Sequence, residues 1–234
     1  MDDKEILYEL FNQLKQFQEA ESLFHISGIT IDDKLPLAFY TDVTDQHIKI
    51  HEVPLFLYED FSFLSNTLVH FTSLLYMLQP FINKEADTYD QNIYDEKFLT
   101  YTGILNSTVY NFWNRIGNLL YCFFETGLSD DQVYIGRVLN NFPNADKESS
   151  YFKQINEIYS DSVRPLVKER HEDVHNQSFV TSRFYEIILA RGEERREHLE
   201  HKLQIPEQFK EQINLAYKGF ELSLRLIIEK IPKT

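Results

Sequence analysis

The side chains whose types and spacing can do chemistry concentrate in one stretch, Arg170-His-Glu-Asp-Val-His175. Two patterns overlap there. From His171 to His175 it reads His-Glu-x-x-His. On a helix this spacing puts both imidazoles on one face to hold zinc, with Glu172 as base for a metal-bound water. Glu193, Glu194 or Glu197 stands at a spacing some zinc peptidases use for a third ligand. The flanks speak against that use. Glu169 and Arg170 precede the motif, Asp173 lies inside it and Asn176 follows, where a buried metal-binding helix carries uncharged residues at several places. The second pattern is Arg170-x4-His175. Histidine titrates near neutrality, so His175 can move protons. The Arg170 guanidinium can clamp two non-bridging phosphate oxygens as charge grows on them. Together they suit RNA cleavage, which needs a base for the 2′-hydroxyl, an acid for the leaving 5′-oxygen and positive charge at the phosphorane. His171, one turn before His175, either positions the phosphate and shares the proton work or simply faces solvent.

Val163, Val167, Arg170 and Val174 recur at helical spacing, which puts Arg170 on the more apolar side of its element. An arginine so placed needs a partner, and both an acidic side chain and a bound anion satisfy it. The same Arg-x4-His spacing recurs from Arg196 to His201. That copy sits in EERREHLEHK, which reads as an exposed helix face.

The run VKERHEDVHNQ, with a polar residue directly after Arg170 and Val174 before His175, resembles the HEPN superfamily of helical domains. The resemblance covers at most Phe61 to Ile231 and leaves the segment from His25 to Val53 unaccounted for. It implies a metal-independent endoribonuclease of toxin or phage-defence type, with Arg170 and His175 acting at the phosphodiester, His171 assisting, and no cofactor. It further implies a homodimer with two Arg–His pairs facing a shared cleft, an RNA substrate, and an antitoxin or other regulatory partner. The alternative is a HEPN-like scaffold without activity, serving as an interaction or immunity protein. A zinc peptidase built on His171, Glu172 and His175 ranks third.

The elements that must position these residues are mostly helical. Asp3 to Phe24 predicts a helix, with Ile6, Leu7, Leu10, Phe11, Leu14 and Phe17 three and four apart. ISGITI, LAFYTDV and HIKIHEV, between His25 and Pro54, alternate and are bounded by Gly, Pro and Asp, which predicts extended structure, a small sheet or an arm. Helices follow over 60–82 and, most strongly, 96–125, where Phe98, Leu105, Val109, Phe112, Ile116, Leu119, Leu120 and Phe123 form one apolar stripe. Gly127 is the expected C-cap and Ser129 the next N-cap, with Asp130 and Asp131 favoured at a helix N-terminus. Shorter helices are predicted over 133–139, 148–160 and 162–175, the last tolerating Pro165 in its first turn. Two more close the chain, over 182–203 and 206–231. Trp113-Asn114-Arg115 reads as a packing and polar-contact site. The expected fold is therefore mainly α, a HEPN-like helical bundle with a small extended or β N-terminal element. The expected division is an N-terminal helix and arm over 1–54 and a helical domain over 55–234, unless the two are continuous.

Bulk composition agrees with this. The 234 residues include 19 Phe and 14 Tyr, with only 7 Gly and 7 Pro, which suits long packed helices better than a turn-rich sandwich. A single cysteine, Cys122, excludes an internal disulfide and suits a reducing cytoplasm. The charged N-terminus lacks a signal peptide's apolar core, and no segment reads as a membrane span. A net charge of −14 argues against gripping duplex DNA, while leaving room for a local basic pocket. Arg164, Lys168 and Arg170 form one basic group, and Arg191, Arg195 and Arg196 another; solvated helix faces are the plainer reading of both.

Overall fold

The computed structural model describes residues 3–85, 90–166 and 185–234. It is mainly α: α1 (Asp3–Ala20), α2 (Pro36–Gln46), α3 (Leu57–Leu78), α4 (Ile93–Phe123), α5 (Ile135–Asn140), α6 (Ser150–Ile158) and α7 (Glu193–Lys230). A π-helical turn, Tyr159–Val163, continues α6, and residues 185–189 form one further helical segment.

The α3, α4 and α7 helices carry the core. Ring packing sets their contact: Phe61 lies 5.1 Å from Phe112 and 4.8 Å from Phe220, both edge-on. Trp113 is fully buried against α7, where Gly219 lets the two helices close. A Cβ at that position would fall 2.6 Å from the indole. Gly117 does the same for α5, since a Cβ there would meet the Ile135 backbone at 2.9 Å. The predicted stripe of α4, from Phe98 to Phe123, is buried throughout. The start of α4 is fixed by a reciprocal cap. Asn92 Oδ1 accepts from the Tyr94 and Asp95 N–H groups, and the Asp95 carboxylate accepts from the Asn92 N–H.

The segment expected to be extended differs from that expectation. Among the described residues there is no strand; the only pairings are isolated bridges, Ile31 with Lys34 and His47 with Lys233. LAFYTDV is part of α2. Pro36 occupies its first turn, where its missing N–H costs nothing, and Phe39, Tyr40 and Val43 fall on one buried face. Over seven residues the same apolar positions fit a two-residue or a helical period, and tertiary burial decided for the helix. Leu23, Ile26 and Ile31 reach the same core cluster as Phe61 and Phe220. Polar ties hold this region down. The Ile26 N–H donates to Ser65 Oγ at 2.8 Å, and Tyr217 donates to the Phe24 carbonyl at 2.9 Å. His47 Nδ1 donates to the Ile231 carbonyl at 2.7 Å, and the Thr234 N–H donates to the Gln46 carbonyl.

Two further boundaries shift. Residues 193–230 make one helix rather than a break before Pro206; the proline sits inside α7, buried. There Gln79, the C-cap of α3, donates its side-chain amide to the Leu203 carbonyl, beside the point where the proline interrupts the ladder. The α4 helix ends at Phe123 with Phe124 as C-cap, and Gly127, at φ +68°, lies three residues later in the connecting segment instead of at the cap. Asp130 and Asp131 do open a helical turn, though a short 3-10 one. By length and composition α3 would suffice to cross a membrane; here Phe61, Leu68 and Leu75 on it are packed into the core.

Candidate functional site

Arg170, His171 and His175, with Glu172 and Lys168, lie outside the described residues. The ribonuclease pair and the His-Glu-x-x-His reading therefore carry no geometry here. What the structure does show is the element that leads to them and the ground beside it.

The π-helical turn follows from the sequence. Pro165 has no N–H to give to the residue-161 carbonyl, and its ring crowds that carbonyl. One turn earlier the helix widens, so that the Arg164 N–H bonds to the Tyr159 carbonyl, five residues back. The widened turn presents Asp161 and Ser162 toward α7, and Gln212 Nε2 ties the two by donating to the Ser162 carbonyl at 3.3 Å. Pro165 and Leu166 then continue as helix up to the last described residue before position 167.

Between this turn, the first half of α4 and the middle of α7 lies a cleft of about 320 Å³. Its floor is Thr102, Asn106, Ile205 and Phe209, all more than nine-tenths buried. Its rim carries Asp161, Ser162, His201 and Glu211. Thr102 donates its hydroxyl to the Phe98 carbonyl at 2.9 Å, leaving its lone pairs as acceptors. Asn106 is 5% exposed, and its buried Oδ1 has no hydrogen-bond partner. An unpartnered buried amide costs about 1–3 kcal/mol. Gln212 Oε1 is buried and unpartnered in the same wall. Two such groups line this one cleft, while Thr72 Oγ1 and Trp113 Nε1 are buried without a partner elsewhere in the core. No sequence pattern flagged Asn106, since one Asn inside an amphipathic helix has no motif around it.

The same two helices are joined by a buried ion pair that the sequence did not signal openly. Lys202 of α7, 2% exposed, bonds the Asp95 carboxylate, which is wholly buried and also accepts from the Asn83 and Asn92 N–H groups. Burial holds the Lys202 ammonium below the usual lysine range, against the pull of Asp95. The ammonium also lies 5.8 Å from the centre of the Phe98 ring. The pair braces the α4 cap against α7, next to His201. The signal for it was latent in Asn92-x-x-Asp95, a capping box whose carboxylate has lone pairs to spare.

The second Arg-x4-His copy is resolved by helix geometry. Residues five apart on α7 are about 140° apart around its axis, so Arg196 and His201 diverge. Arg196 lies 3.5 Å from Glu193 on an exposed face, while His201 lines the cleft rim. Arg195 is a structural cap: Nε and Nη2 donate to the Ile187 and Ile188 carbonyls at 3.1 Å each. Of that basic group, Arg196 fits the plainer reading of a solvated helix face, whereas Arg195 does not.

A second concavity, of about 370 Å³, lies at the far end of α4, lined by His51, Glu52, Tyr121, Cys122 and Asp130 among others. His51 stacks on Tyr121 at 4.2 Å, and Tyr121 donates to Asp130 at 2.9 Å. Cys122 is an unsuitable nucleophile there, because burial pushes its thiol up to about 11. Trp113-Asn114-Arg115 does the packing and polar work expected of it: Trp113 is core, Asn114 Oδ1 accepts from the Ile135 N–H, and Arg115 meets Asp60 at 2.8 Å. Among the described residues no group of three His, Cys, Asp or Glu is arranged to hold a metal ion. No protein-family model, no characterised protein and no solved structure matches the chain.

Proposed function

We propose that this protein is a HEPN-like metal-independent endoribonuclease of toxin or defence type, with Arg170 and His175 acting at the RNA phosphodiester. The observation that carries it is the Arg170-x4-His175 motif, set in an all-helical surround. The helical turn at Pro165 and Leu166, four residues before Arg170, borders a cleft with unsatisfied polar groups, which is consistent with it. His175 takes the proton of the 2′-hydroxyl, whose oxygen attacks phosphorus. Arg170 offsets the charge on the non-bridging oxygens. His171, sharing the proton work, protonates the departing 5′-oxygen, giving a 2′,3′-cyclic phosphate and a 5′-hydroxyl end. A symmetric dimer with two such pairs, held in check by an antitoxin or regulatory partner, completes the reading.

The charge of −14 favours a second reading, an inactive scaffold acting through protein contacts. Incubating single-stranded RNA with the protein in excess EDTA separates the two. Cleavage by wild type, with cyclic-phosphate ends, lost by at least about a hundredfold in His175→Ala and in Arg170→Ala, supports the nuclease. No cleavage of any RNA class supports the scaffold, and peptide hydrolysis abolished by EDTA supports zinc at His171 and His175.

A further inference from the structure

We infer that the cleft between α4, the π-helical turn and α7 binds an unpaired ribonucleoside, base inward and ribose hydroxyls at the acidic rim. This deepens the ribonuclease reading and rests on it for the RNA context, but its own test needs no cleavage. The cleft's volume of about 320 Å³ lies in the range of small-ligand sites. Leu166, Ile205 and Phe209 offer apolar surface to the flat face of a base. Thr102 supplies acceptor lone pairs at the floor, and Asn106 adds a buried carboxamide whose Oδ1 has no hydrogen-bond partner. A carboxamide presents a donor and an acceptor in one plane, which matches the paired donor and acceptor on a base edge.

The described rim offers acceptors for hydroxyls, since Asp161 and Glu211 line it. Carboxylates accept hydrogen bonds from ribose hydroxyls, as an acidic residue does in dinucleotide-binding folds. A flexible polyamine also satisfies two carboxylates, but it leaves the floor amide unmatched and sets charge against apolar wall. A base that enters this cleft has left its helical stack, so the RNA bound here is single-stranded.

Titration of the full chain with nucleosides, followed by amide chemical shifts and by calorimetry, tests this. Adenosine is expected to bind and to shift resonances of Asn106, His201 and Gln212, with 2′-deoxyadenosine weaker by about fivefold or more. Asn106→Leu, which is close in size and removes the amide, weakens adenosine by about tenfold, and Asp161→Asn with Glu211→Gln erases the preference for ribose. No binding of adenosine at millimolar concentration, equal binding of the deoxynucleoside, or displacement of adenosine from these resonances by spermidine overturns the inference. Nucleoside binding in a protein that cleaves no RNA leaves this site standing and removes the nuclease. Cleavage without any nucleoside binding does the reverse.

Discussion

The two halves of α4 face the same partner helix and are built on opposite terms. From Leu105 to Phe123, apart from Asn106 and Thr108, the buried positions are apolar or Gly, and they meet Phe61, Ala216 and Phe220 in a dry core. From Asp95 to Asn106 the buried face includes a carboxylate, a threonine and an amide, against Lys202 and Gln212. Packing dominates the first half, although Trp113 Nε1 is buried there without a hydrogen-bond partner. In the second half the Asp95–Lys202 pair is satisfied by its bonds, whereas Asn106 is not. The same helix thus has a mostly apolar half and a more polar half, and the polar half borders the cleft.

The largest effect that can break this contrast lies in the dry half. Phe220→Ala is expected to cost about 3–5 kcal/mol in chemical denaturation, since its ring touches Phe61, Tyr40 and Tyr58. A cost below about 1 kcal/mol would mean that this end is not the stabilising one. The brace comes next. Lys202→Met leaves the Asp95 carboxylate buried without its cation and is expected to cost about 3 kcal/mol, while the double variant with Asp95→Asn recovers much of it. If the double variant is as unstable as the sum of the singles, the two residues act independently. Smaller still is the behaviour of Cys122. With its thiol pushed up to about 11, on the order of a thousandth is thiolate at pH 8. A disulfide reagent is therefore expected to react slowly with native protein and quickly in denaturant. Equal rates would place the thiol at an open surface.

Much of the helical frame was legible in advance because it is written in period. The stripe from Phe98 to Phe123 and the run from Phe209 to Ile227 each span several turns, and only a helix buries such spacing on one side. Short segments were not legible. LAFYTDV fits either period over seven residues, and Pro36 at its start signals a helix only when the buried face is known. Pro206 reads as a break in sequence, yet α7 runs through it, with the Gln79 amide bonding the neighbouring Leu203 carbonyl from another helix. At the candidate site the sequence points to Arg170 and His175 by spacing alone. The cleft groups Asn106 and Gln212 are more than a hundred residues apart and meet only through the fold. Such pairings leave no local mark.

The contrast between the halves of α4 is tested most directly by Asn106→Leu, with thermal stability and cleavage of single-stranded RNA measured on the same preparation. Removing an unpartnered buried amide is expected to leave the melting temperature unchanged or raise it by a few degrees, on the order of 1 kcal/mol. Cleavage is expected to fall by about tenfold or more, through KM rather than kcat. A variant that melts lower and cleaves as well as wild type would contradict the account, because Asn106 would then be a structural residue and the cleft beside it only a gap in packing.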